Sequence, residues 1–184
     1  MTPDPGPVRH GMIEGMAYSL QALIAADRYV FDEAARAIAG LTVVPLKHGF
    51  AMIPLTGRLR AALGPCSYRP YEEIFDGLTS TVAELAAGAS RAGPVAYCEA
   101  EFFGGDGGQA SIVWRGGAVE FGPVHVAVDD DGGCPPVGEW AINLALARLG
   151  GITWTDPDHF QVVGLNGHRA TEAWVNGRAG LAGR

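Results

Sequence analysis

Glu99 and Glu101 stand two residues apart in Val95–Phe103, where apolar and polar side chains alternate. In an extended strand that spacing puts both carboxylates on one face, about 6.6 to 6.8 Å apart at Cα. Tyr97 precedes them in the same phase. A second alternating segment, Gln109–Arg115, adds Gln109, Ser111 and Arg115 to that face if the five residues from Gly104 to Gly108 form the connecting loop. Two carboxylates so placed suit acid–base hydrolysis or metal ligation. A solvated face of an antiparallel sheet produces the same alternation. A third reading is a binding face, because Tyr and Arg are favoured at interfaces and neighbouring carboxylates suit a basic protein partner.

The run Gly104-Gly105-Asp106-Gly107-Gly108-Gln109 invites comparison with a phosphate loop. Phosphate loops need the free N–H groups of a following helix, and this run leads into a strand without a G-x-G-x-x-G or Gly-Lys-Ser/Thr signature. A hairpin loop is expected, with a backbone N–H nest as the surviving anion-binding alternative. Asp156, Asp158, His159 and His168 are metal-ligating types, but none shows an H-x-x-x-H spacing, so loop polarity is the plainer reading. Asp129-Asp130-Asp131-Gly132 lacks the alternating ligands and distal Glu of an EF-hand. Cys98 falls on the apolar side of its strand, as a small hydrophobe would, whereas Cys66 and Cys134 lie beside prolines in loops. His125, near an acid or a cysteine in space, would support a small hydrolase or ligand-binding enzyme. No obligatory cofactor and no metal are expected.

Composition narrows the classes. The chain has 184 residues, 27 of them glycine, with 48% apolar residues and a formal net charge of −7. That apolar share is enough for one core. Thirteen basic residues face 20 acidic ones without a Lys/Arg cluster, which argues against nucleic acid as the partner. Lys47 is the single lysine, an arginine bias that, with the abundant Ala and Gly, fits GC-rich bacterial coding. Apolar runs fall far short of the ~20 residues that span a bilayer. An odd set of three cysteines without C-x-x-C spacing fits a reduced, cytoplasmic protein. Residues 1–15, with three prolines and no apolar signal-peptide core, read as a loose tail, with Met16 an alternative start, and 16–184 as one domain.

The elements that must position these residues read as α+β: an antiparallel β-meander and a β-hairpin packed against several α-helices. Ser19 with Leu20, Leu23 and Ile24 predicts a short capped helix. Asp32 predicts a second over Glu33–Ala39, stopped by Gly40. Leu41–Lys47 and Phe50–Thr56 predict a hairpin closed by His48-Gly49, with Lys47 opposite Phe50 and Val44, Leu46, Ala51, Ile53 and Leu55 facing the core. Pro45 and Pro54 on its other side require an edge or a bulge. An exposed Val43, Pro45, Met52, Pro54 face would make the chain a self-associating structural subunit.

Further along, Thr56–Leu63 predicts a short helix, and the spacing of Ile74, Leu78, Val82, Leu85 and Ala89 a longer one from about residue 70 to Arg91. The meander pairs Phe102 with Ala110, Ala100 with Ile112 and Cys98 with Trp114. Its Gly116-Gly117 turn then sets Trp114 opposite Val119 and Ile112 opposite Phe121. Val124–Val128 follows as a fourth strand or a bent continuation. Val137–Leu149 predicts a well-buried helix, and Asp156-Pro157 and Thr171–Val175 short helical turns.

The run Val95-Ala96-Tyr97-Cys98-Glu99-Ala100-Glu101-Phe102-Phe103-Gly104-Gly105, with Gly108-Gln109 and the late His168-Arg169-Ala170-Thr171-Glu172-Ala173-Trp174, resembles a group of short bacterial hypothetical proteins that carry no assigned activity. The resemblance implies no function. Some small acidic α+β bacterial proteins are immunity partners of secreted toxins, an analogy of fold and charge. The leading expectation is a non-enzymatic binding protein of that immunity or inhibitor kind. It would use Tyr97, Glu99, Glu101, Asp106, Gln109 and Arg115 to engage a basic protein partner, with neither nucleic acid nor membrane involved.

Overall fold

A computed structural model describes residues 17–128, 133–151 and 153–176. The expected tail, the start at Met16 and the Asp129–Gly132 loop lie outside them. The chain forms a six-stranded antiparallel sheet of order β2-β3-β1-β4-β5-β6, with β1 Tyr18–Ala25, β2 Val44–Pro45, β3 Ala51–Pro54, β4 Val95–Phe103, β5 Asp106–Arg115 and β6 Ala118–Ala127. Around it lie α1 Asp32–Ala37, α2 Gly57–Leu63, α3 Ser80–Ala89, α4 Ala141–Leu149, α5 His159–Val163 and α6 Ala173–Asn176. The α+β expectation and the β4-β5-β6 meander are both realised. No helix among the described residues is long and apolar enough to cross a membrane.

The sheet is buried on both faces. Tyr18, Leu20, Ala22 and Ile24 of β1 join Ala96, Cys98 and Ala100 of β4 and Val113 of β5 against α4, α5 and Trp174. The alternate residues, Leu23, Ala25, Val95, Tyr97, Ala110, Ile112 and Trp114, meet Phe31, Leu59, Phe75, Leu78, Val82 and Ala86 on the opposite side. Full burial of a large aliphatic or aromatic side chain contributes about 1.5 to 3 kcal/mol, so a strand apolar on both faces is strongly held at the centre. This corrects the reading of residues 19–25 as a helix. The segment is apolar in both strand phases, and a short run of that kind carries no period that separates helix from strand.

Three further expectations are corrected by turn chemistry. The β4–β5 connection is the two-residue Gly104-Gly105, with Phe103 opposite Asp106, not a five-residue loop. Both glycines have positive φ (+66° and +102°), the backbone that tight hairpins demand. The change moves the register by three residues, an odd number, and so places Tyr97 opposite Ile112 and Glu99 opposite Ala110. In the first hairpin Val44 faces Met52 and Pro45 faces Ala51, one residue out from the expected pairing, because Lys47–Gly49 forms a 3-10 turn. His48 adopts φ +57° there, in keeping with its reading as a turn residue. Val44 and Leu46 therefore join one core and Ala51, Ile53 and Leu55 the other. Met52 and Pro54 are buried, which removes the exposed face expected for self-association, while Pro45 sits on the edge strand β2. Trp114 pairs with Val119 as expected, but a bulge then sets Phe121 opposite Val113 instead of Ile112, and residues 124–127 continue β6.

The long helix expected from residue 70 begins only at Ser80. Thr79 caps it by accepting from Val82 N at 3.3 Å, and residues 67–78 form turns that lie over the sheet. Asp32 opens α1 without a side-chain cap; Asp27 instead accepts from Tyr29 N, capping the 3-10 turn Arg28–Phe31. Thr56 caps α2 through Leu59 N. Residues 137–149 divide into a 3-10 turn, Val137–Glu139, and α4.

Candidate functional site

Glu99 is buried at the centre of a hydrogen-bond network. Its Oε2 accepts from Tyr97 Oη at 2.6 Å and Gly77 N at 3.1 Å, and its Oε1 from Gln21 Nε2 at 3.1 Å and Asp76 N at 3.2 Å. Arg60 closes the ring, donating to Gln21 Oε1 at 2.6 Å and to Gly77 O at 2.8 Å. Burial, reinforced by the neighbouring carboxylate, pushes the Tyr97 hydroxyl well above its ordinary range. These contacts dock the 67–78 turn and α2 onto the sheet. Gly77 is required by close approach, since a Cβ there would collide with the Gln21 amide. Four donors converging on one carboxylate explain its burial, because an ionised group leaves water only when it is fully hydrogen-bonded.

The remaining expected site residues are divided between the faces. Gln109 points to the side opposite Glu99, where its Oε1 accepts from Ile142 N at 3.1 Å and so caps α4, whose own N-cap residue Trp140 supplies no side-chain bond. Ser111 donates to Ala141 O at 2.6 Å. Arg115, at the far end of β5, pairs with Glu120 at 2.8 Å and donates to Arg148 O at the C-terminus of α4. The polar residues of β5 therefore hold both ends of that helix, with the cation where the dipole favours it. The expected six-residue face is corrected: the odd register change places Gln109 and Arg115 apart from Tyr97, Glu99, Glu101 and Asp106.

What stays exposed near the hairpin tip is smaller and differently composed. Glu101 and Asp106 are exposed, and Phe103 between them is 77% exposed. They border an open hollow of about 470 Å³ that also contains Asp76, Ile74 and His125. His125 sits opposite Ala110 across the β5–β6 pair. Sequence reasoning missed Phe103 and Asp76. The available signal for Phe103 was its place immediately before two glycines, which makes it a hairpin-tip residue, whereas nothing local announces Asp76.

The C-terminal metal-ligating residues have structural roles. Asp158 caps α5 through Gln161 N, Asp156 accepts from Asp158 N, His159 stacks on Trp154 at 3.8 Å, and His168 meets the edge of Trp174. No group of three or more His, Cys, Asp or Glu among the described residues could hold a metal ion. Cys98 is buried and its thiol pushed far up by desolvation, while Cys66 and Cys134 are exposed. No family model, no curated protein and no solved structure shows significant similarity to this chain.

Proposed function

We propose that this chain is a non-enzymatic binding protein of the immunity or inhibitor kind, acting in the bacterial cytoplasm, that engages a basic protein partner through the tip of the β4–β5 hairpin. The observation that carries the reading is Phe103, 77% exposed at the end of β4 beside the two-glycine turn and flanked by the carboxylates of Glu101 and Asp106. Aromatic anchors supply much of the energy of protein interfaces, and a surrounding field of one sign selects and steers an oppositely charged partner. Asp76 and the adjoining hollow extend the acidic surface, and the net charge of −7 acts in the same direction. Glu99 supports this reading by its commitment to the fold: four donors occupy it, which takes it out of the Glu99–Glu101 pair that acid–base chemistry would use.

The test is capture from a native cytoplasmic extract by immobilised full-length protein, compared with Phe103→Ala and with Glu101→Lys/Asp106→Lys. The wild-type chain should retain a basic protein that elutes as salt is raised, and each variant should hold it at least about tenfold more weakly. Identical profiles for all three would overturn the proposed surface.

A further inference from the structure

On the face that carries Glu99, one row of the sheet near the hairpin tip is left uncovered. Ser19, Glu101, Gly108 and Ala127 stand opposite one another across β1, β4, β5 and β6. Three strand spacings make the row about 14 Å long. Ser19, Glu101 and Ala127 are exposed and Gly108 is half-buried, and three of the four are small, so the row floors a trough. The row behind it starts with Gln21 and Glu99, over which Asp76, Gly77 and Arg60 are bonded, and ends in His125. The row in front is Phe103 and Asp106 at the tip. Glu101 divides the trough. A hollow of about 380 Å³ lies between it and residues 170–172, and the hollow of about 470 Å³ lies between it and His125.

The charge along the trough is one-sided. Glu101 in the floor, Asp106 at the tip and Asp76 on the turn are exposed, and none has an ion pair among the described residues. Glu172 at the far end commits Oε1 to Gly57 N at 2.7 Å. Arg60 is the one Lys or Arg among the described residues that lines either hollow, and its guanidinium is turned to Gln21 Oε1 and Gly77 O. A cationic occupant offsets this field. The width decides its conformation. The flanking rows are about 13 Å apart at Cα, and their side chains narrow the opening below the roughly 10 to 12 Å that a helix needs. An extended chain fits, and about four of its residues span the floor. We propose that the trough takes an extended basic segment of the protein partner, laid across the strands, with one arginine or lysine entering the hollow on each side of Glu101. The proposal rests on the reading of the hairpin tip as a partner site. Residues two apart in an extended chain face the same way, about 6.8 Å from each other, so a single residue separates the two cations.

The probe is the peptide acetyl-Gly-Arg-Ser-Arg-Gly-amide, titrated into the full chain while the backbone amide NMR signals of Ser19 and Gly108 are followed. Saturable shifts of both signals are expected at low salt, weakening as salt is raised. Acetyl-Gly-Arg-Arg-Ser-Gly-amide carries the same charge but turns one arginine away, and should bind about fivefold more weakly, the loss of one exposed ion pair. Glu101→Gln should weaken the spaced peptide by a similar factor. Ser19→Phe fills the floor without changing the charge and should do the same while circular dichroism stays native. Absence of saturable shifts, equal binding of the two peptides, or unchanged affinity in a folded Ser19→Phe chain would each overturn the proposal. So would a concentration-dependent dimer, seen by light scattering and abolished by Ser19→Phe, since the occupant would then be a second copy of this chain. Phe103→Ala separates the trough from the tip. Undiminished capture of the native partner by Phe103→Ala, with the spacing preference intact, overturns the tip and supports the trough; lost capture without a spacing preference in the wild-type chain overturns the trough alone.

Discussion

Glu99 and Glu101 lie on the same side of β4, yet one is enclosed by donors and the other meets water. Their substitution should separate accordingly. In Glu99→Gln the new NH₂ group replaces one oxygen and faces two donors, either Tyr97 Oη and Gly77 N or Gln21 Nε2 and Asp76 N, so stability should fall by about 2 to 3 kcal/mol in urea unfolding. Glu101→Gln, at an exposed site, should stay within about 0.5 kcal/mol of the wild-type protein. Equal small effects would mean that the carboxylate does not hold the 67–78 turn. The alternation of charged and apolar residues placed both glutamates in one phase correctly, but it carried no information about what would cover that face.

At the scale of elements, the boundary of α3 decides how Thr79 behaves. Were the helix continuous from residue 70, Thr79→Ala would be an interior substitution toward a better helix former and would stabilise slightly. Because Thr79 caps α3 by accepting from Val82 N, the same change should cost about 1 kcal/mol, read as a lower denaturant midpoint at unchanged slope. The apolar spacing from Ile74 to Ala89 was visible in the sequence, but the docking of Asp76 and Gly77 on Glu99 takes those residues out of helical geometry. A similar competition shapes the meander. Strand phases were legible from alternation, and the Gly116-Gly117 turn was placed correctly. The run of glycines after Phe103 permitted several turn lengths, and the choice of two residues set which side chains share a face.

At the scale of the whole molecule, burial of protonated groups on both sides of the sheet sets the response to alkali. Burial pushes Cys98 above its ordinary 9.0 and Tyr18 and Tyr97 above their ordinary 10.0, the last with added repulsion from Glu99. Above those ordinary values the unfolded chain releases protons that the folded chain retains, so the unfolded state binds fewer protons and stability declines as pH rises. The contribution is complete below about pH 9 and is lost progressively above it. Urea midpoints measured between pH 8 and pH 11 should fall, and Cys98→Ala should flatten the first part of that fall. A midpoint independent of pH over the range would contradict the burial of these groups.

The sequence by itself determined the α+β class, the extended conformation of residues 95–103 and 109–115, and the turn at His48, because each follows from local alternation or local backbone chemistry. Only the tertiary structure decided that β1 is a strand at the centre of the sheet, that helices cover both faces, and that Gln109 serves α4 while Glu99 serves the 67–78 turn. The physical reason is that a strand presents two faces of equal length, and its sequence cannot state which neighbours will bury each one. The register of one hairpin, fixed by two glycines, assigned Gln109 and Glu99 to opposite sides and left Phe103, Glu101 and Asp106 at the exposed tip.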